Sequence, residues 1–274
     1  MKFIILFLLA FTFCGKIKPR VRSASNTNQN IIRPPKIRAT TIVASPSNYQ
    51  FYIFATQWAG SSCALKRCTH RPPRDIFNIH GLWPTNGNTS PQNCAPFNFN
   101  ENNIDASFRT TLYNFWNGYH GTNWGFVKYE LSKHGTCWQR ELPSSARANG
   151  RILPILNSYD SRNPFSKYNL FLKISVELSK ILDIFNTLKA GGVLPDDNRA
   201  YQISLILSIM NNKLGLQTGV IPVCERRTSL RDTLLLELRF CADFGYNFFN
   251  CNVGAVQRGI NYCGANGVKM LKIL

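Results

Sequence analysis

An α+β domain is what this chain predicts, and three observations carry that expectation. Short aromatic and β-branched runs are interspersed with longer amphipathic stretches, without the regular alternation that builds a parallel sheet. No period of about 20 to 50 residues repeats, which excludes a solenoid. Nine cysteines are present; all but Cys14 lie beyond the N-terminal region, an even set that reads as disulfides in an oxidising compartment. At 274 residues the chain is long enough to bury one sizeable core.

The elements follow in order. Lys2 precedes an apolar run from Phe3 to Cys14 that is too short to span a membrane and has the layout of a signal peptide, residues 1–14. Residues 15–44 are rich in Ser, Asn, Pro and Arg and read as a basic flexible arm ahead of a folded domain over 45–274. The aromatic stretch from Tyr49 to Trp58, bounded by Pro46 and Gly60, predicts a central strand. Asp75 to His80 alternates apolar and polar and predicts a second strand that breaks at Gly81, leaving His80 at its end on the polar phase. Phe108, Leu112 and Phe115 give Asp105 to Asn117 helical spacing.

Asn123 to Lys133 predicts a further helix, capped by Asn123 and stopped by Gly135. On it Glu130 and His134 lie one turn apart and share a face, with Lys133 beside them. Pro164 to Leu188 reads as one long amphipathic helix and Ala200 to Leu214 as another. Strand character returns at Gly219 to Cys224 and at Thr233 to Phe240. Trp58, Trp116, Trp124 and Trp138 are assigned to the core.

The net charge of +18 is uneven. Residues 1–44 hold eight Lys/Arg and no acid, leaving 24 basic against 14 acidic residues in the remainder. A basic surface attracts polyphosphate by steering and counterion release. A soluble cationic secreted protein would show the same balance, so charge alone does not identify a nucleic-acid partner. No close Cys/His pairs carry metal-ligand spacing, and neither a metal nor a cofactor is expected.

The chemistry concentrates in two short blocks. Of the four histidines, His80 lies in Phe77-Asn78-Ile79-His80-Gly81-Leu82-Trp83-Pro84 and His134 in Glu130-Leu131-Ser132-Lys133-His134-Gly135-Thr136-Cys137. Two imidazoles, each with a free pKa of about 6.5, can serve as acid and base near mildly acidic pH. A lysine and neighbouring donors offset charge on a phosphorane, so the set suits in-line phosphoryl transfer without a metal. Lone histidines are more often structural or exposed, which is the reading for His70 and His120.

These blocks, Phe-x-Ile-His-Gly-Leu-Trp-Pro and Glu-x-x-Lys-His-Gly-Thr-Cys, resemble the paired active-site segments of the ribonuclease T2 family. The match covers sixteen positions directly and extends more weakly from about Phe51 to Cys263. The resemblance implies an antiparallel central sheet with helices mainly on one side. It also implies the pairing Cys63–Cys68, Cys94–Cys137, Cys224–Cys263 and Cys241–Cys251, which cysteine spacing leaves open. It assigns His134 as general base on a ribose 2′-hydroxyl, His80 as general acid toward the 5′-oxygen, and Lys133 and Glu130 to the pentacovalent state. Glu130, one helical turn from His134, is expected to orient that ring and favour its protonated form.

Single-stranded RNA would be the substrate, cut to 2′,3′-cyclic and then 3′-phosphate ends. Trp83 and Phe126 are candidate stacking platforms, and Gln57 a candidate reader of a base edge; core packing is the rival role for each. Tyr129 and Leu131 stand where the family often has histidine and tryptophan. Tyr129 can donate to a phosphate oxygen but carries no positive charge, which predicts weaker phosphate binding. Thr85 and Asn86 stand where an aspartate is common, leaving the upstream base preference open. Asn88-Thr89-Ser90 is the one N-glycosylation sequon.

A monomer, secreted or held in the vacuolar or endomembrane lumen and without a membrane anchor in its mature form, is expected. Two rival roles remain. One is a self-incompatibility pistil ribonuclease, a cytotoxin with a protein recognition partner, which the basic character fits. The other is a non-catalytic storage or RNA-binding relative, against which the intact His80, Glu130, Lys133 and His134 count.

Overall fold

The structure, a computed structural model, describes residues 49–70, 72–73, 75–87, 89–139, 148–227 and 232–273. The expected signal peptide, the basic arm, Cys14 and the sequon residue Asn88 lie outside the described residues.

Strand β1 (Phe51–Gln57) takes the central place that its aromatic, β-branched composition predicts. It pairs antiparallel with β2 (Asn78–Thr85) on one side and β4 (Asp232–Ala242) on the other. Strand β3 (Val220–Arg227) lies outside β4, giving the order β2-β1-β4-β3, and the short β5 (Phe248–Phe249) adds to the end of β4. Directly paired residues share a face. One face carries Tyr52, Phe54, Ile79, Leu82, Leu238 and Phe240, all buried in the main core. The other carries Trp83, Glu237 and Arg239. On the same face Ile53 (opposite Trp83), Ile221 (opposite Arg239) and Cys241 pack with Val256 and Ile260 of helix α8 (Val253–Cys263).

The helices before α8 are α1 (Ala59–Leu65), α2 (Ala106–Phe115), α3 (Asn123–Lys133), α4 (Leu153–Asn157), α5 (Ser166–Leu182), α6 (Ile184–Ala190) and α7 (Ile203–Leu214). The antiparallel sheet with several helices is the α+β class expected. Trp58, Trp116 and Trp138 are fully buried, and Trp124 packs against the core's edge. All four disulfides implied by the resemblance are present.

Several expectations need correction. The second strand is not Asp75 to His80: it begins at Asn78 and runs through Gly81 to Thr85, so His80 is internal to it. In place of a break at Gly81 the strand carries a bulge at His80. Helix α3 has the predicted bounds, but Thr122 caps it, its hydroxyl accepting from the Gly125 N–H at 2.9 Å. The long helix from Pro164 to Leu188 is two helices. Asp183 adopts a left-handed conformation (φ 40°, ψ 50°), and its side chain accepts a hydrogen bond from Asn186 Nδ2 at 2.8 Å. Leu182, Phe185 and Leu188 keep apolar spacing across this break, so periodicity could not reveal it. Helices α1 and α8 were not foreseen because their glycines lower helical character; Gly259 sits where a β-carbon would strike Pro222 of β3.

Candidate active site

Three elements converge on the site: β2, the end of α3, and β4. In the β1–β2 ladder Ala55 faces Gly81 while Thr56 faces Ile79, so one step on β1 spans two on β2. His80 is the extra residue, and the bulge re-aims its side chain. Ile79 and Leu82, three apart, both enter the core, while His80 stays beside Glu237 of β4. The His80 Nδ1–H donates to Glu237 Oε1 at 2.6 Å, and its Nε2 lies 3.7 Å from Glu130 Oε1. The second Glu237 oxygen accepts from Arg239 Nε at 2.7 Å. The guanidinium of Arg239 in turn lies 5.1 Å from the Trp83 ring centroid.

Glu130 is buried and accepts a hydrogen bond from Trp83 Nε1 at 2.8 Å. This corrects the expected partnership: Glu130 faces His80 and Trp83 and does not orient His134. The His134 backbone N–H closes on the Glu130 carbonyl, which places this residue at the helix end. Its Nδ1 is 3.3 Å from the carbonyl of Pro91. A carbonyl only accepts, so Nδ1 carries the proton and the lone pair of the neutral ring sits on Nε2. Pro91 belongs to a segment clamped against the end of α3. There the Asn93 N–H donates to the Lys133 carbonyl at 2.8 Å, the Cys94 N–H donates to Thr136 Oγ1 at 3.1 Å, and Cys94 is bonded to Cys137.

The two imidazoles are pushed in opposite directions. Burial alone would lower the His80 pKa, but the hydrogen bond and charge of Glu237, with the charge of Glu130, outweigh it and raise it despite Arg239. For His134, burial comes first and the Lys133 charge second, and the pKa falls to about 4 against the opposing Pro91 contact and with a further push from His80. The expectation that its protonated form is favoured is therefore reversed. Burial raises the Glu130 pKa although His80, Trp83 and Lys133 oppose it. Burial acts likewise on Glu237, but His80 and Arg239 win and its pKa is lowered.

The remaining predicted residues fall around this centre. Lys133 Nζ donates to Tyr129 Oη at 3.1 Å, and Tyr129 is exposed. Phe126, half-buried, sits 5.7 Å from the His80 ring. Trp83 packs edge-on to His80 at 5.1 Å and at 5.5 Å from His134, so with Arg239 on its ring it is as much a scaffold as a platform. Gln57 ends β1 directly opposite Glu237. His70 and His120 are exposed and bond Asn117 and Ser62. Sequence reasoning missed Glu237 and Arg239; the available signal was one carboxylate inside the apolar run Leu234 to Phe240. Among the described residues no group of three or more His, Cys, Asp or Glu is arranged to hold a metal ion, and no helix is long and apolar enough to cross a membrane.

Two titratable rings whose surroundings push their pKa values apart are an arrangement that can supply both an acid and a base. A model of the ribonuclease T2 family matches residues 49–251, so the chain belongs to that family and is an endoribonuclease of its type. It is 26% identical over 197 residues to ribonuclease DdI of Dictyostelium discoideum, covering 68% of this chain and 78% of that one. It is 24% identical over 184 residues to extracellular ribonuclease LE of Solanum lycopersicum, covering 64% of this chain and 69% of that one. The fold is that of ribonuclease MC1 from bitter gourd seeds, with a TM-score of 0.57 and 21% identity over 74% of this chain and 94% of that one.

Proposed function

We propose that this protein cuts single-stranded RNA by attack of the ribose 2′-hydroxyl on the adjacent phosphorus. His134 Nε2 takes the hydroxyl proton, the phosphorus–O5′ bond breaks, and the proton on His80 Nε2 goes to the departing 5′-oxygen. The product is a 2′,3′-cyclic phosphate, which water opens to a 3′-phosphate with the two histidines in reversed roles. Lys133 offsets charge on the phosphorane, and Glu130 lies beside the His80 nitrogen that gives up the proton. The observation that carries this reading is geometric: both imidazoles lie against the Trp83 ring, His80 held through Nδ1 by Glu237 and His134 through Nδ1 by the Pro91 carbonyl. That leaves Nε2 of each for the substrate, and the opposite directions of their pKa shifts agree with it. Phe126 and Trp83 offer stacking surface for bases, Gln57 an amide for a base edge, and Tyr129 a phenol for phosphate.

Four disulfides fit folding in an oxidising compartment, hence secretion behind the signal peptide, with Asn88 as the glycan acceptor. The basic arm would recruit RNA by charge, and mass spectrometry of the natural protein tests this: a mature start near Ser45 ends the proposal. For the chemistry, RNA homopolymers should be cut to cyclic ends with EDTA present, and His80→Ala and His134→Ala should each remove most activity. An unchanged rate in either variant would sink the two-histidine mechanism.

A further inference from the structure

We infer that Glu237 is a positioning residue for His80, braced by Arg239, so that a carboxylate on β4 fixes which nitrogen of His80 faces the substrate. The inference rests on the reading of His80 as general acid and adds two residues to it. The geometry is specific. Glu237 is 4% exposed, and each of its oxygens is committed, Oε1 to His80 Nδ1 at 2.6 Å and Oε2 to Arg239 Nε at 2.7 Å. A buried carboxylate is costly unless its hydrogen bonds are made. Arg239 meets one oxygen while remaining a third exposed at its side chain. Among the described residues the other oxygen is met by the imidazole alone.

That contact has three consequences. An ionised carboxylate can only accept, so it holds the Nδ1 proton and leaves Nε2 as the nitrogen that gains and loses a proton. It fixes the ring plane of a residue that the bulge would otherwise leave less constrained. It also places negative charge behind the imidazolium, which favours the acid form needed before the 5′-oxygen departs. The charged groups facing His80 are Glu237 and Arg239 from β4 and Glu130 from the end of α3, where Lys133 and His134 also lie. Of these, Glu237 alone makes a short hydrogen bond to the ring.

The test is a titration of the His80 ring protons by NMR in the full disulfide-bonded protein, which has only four histidines to assign. In Glu237→Gln the His80 midpoint should fall by about one pH unit or more, the scale of one lost neighbouring charge. The alkaline limb of kcat/KM on RNA should move down with it, with the loss mainly in kcat and little change in KM. Glu237→Asp keeps the charge with a shorter reach, so its midpoint should lie between wild type and Glu237→Gln. If the amide variant does not fold, Glu237→Asp still serves, with a midpoint below wild type. An unmoved His80 midpoint in either folded variant overturns the inference, as does a pH-independent loss of activity tracking a lowered Tm. The titration needs no substrate. A wild type that leaves RNA uncut would overturn the proposed mechanism while the Glu237 anchor stood on its own readout.

Discussion

Gly81→Ala is the substitution through which the packing of the site can be weighed. The hydrogen bond from Trp83 Nε1 to Glu130 Oε2 passes directly over the Gly81 α-carbon. A β-carbon there would lie well inside 3.0 Å of both bonded atoms. The strand cannot yield easily, because Ile79 and Leu82 are buried on its other face, and Glu130 is itself only 2% exposed. The bond must therefore break or stretch. Losing a hydrogen bond to a charged acceptor costs about 1.5–3 kcal/mol, and forcing a methyl group into a packed site adds about 1–3 kcal/mol. Against this, alanine reduces the entropy of the unfolded chain by only about 0.4–1 kcal/mol. Destabilisation wins, at about 3 kcal/mol. At roughly 2–4 °C per kcal/mol for a domain of this size, Tm should fall by about 6–12 °C. Displacing Glu130 relative to His80 by about 1 Å should also cost on the order of a hundredfold in kcat/KM. Thermal unfolding by circular dichroism and a steady-state RNA assay measure both. A Tm within about 2 °C of wild type, with activity intact, would refute the idea that this bond depends on the missing side chain.

Two further predictions concern the other half of the site. His134 has a folded-state pKa lowered to about 4, so between that value and its unfolded value of about 6.5 the unfolded chain binds more protons. Stability should therefore rise with pH across that window, and denaturant unfolding of wild type minus His134→Ala should show this slope; a flat difference would contradict the shift. The acid limb of kcat/KM should lie near the same low pH. Removing Cys94–Cys137 as a double alanine variant frees a loop with sequence separation 43 and should cost about 4 kcal/mol by chain entropy. Because Cys94 anchors the segment just before it, which carries the Pro91 carbonyl against His134, the variant should also lose activity at temperatures where it remains folded. Full activity in the folded variant would separate the disulfide from the site.

Much of the site was legible because it is local. Glu130, Lys133 and His134 lie within one helical turn, and their proximity follows from helix geometry once the stop at Gly135 is seen. The aromatic, β-branched composition of β1 and the even cysteine count led to a central strand and a disulfide frame by equally short-range reasoning. The errors arose where a choice depended on something far along the chain. Helical spacing brought Glu130 near His134 but could not say which ring its carboxylate would face. A strand bulge and the Trp83 indole settled that in favour of His80. Glu237 stands 157 positions from His80, and only the register of β4 against β1 brings them to 2.6 Å. The apolar spacing from Leu182 to Leu188 is satisfied by one helix or by two, and Asp183 decides it through its own backbone conformation. The sequence by itself therefore determined which of the proposed catalytic side chains lie near one another along the chain, because residue type and short spacing suffice for that. The tertiary structure alone decided which carboxylate holds which imidazole, because strand pairing and burial set those distances and the pKa values that follow from them.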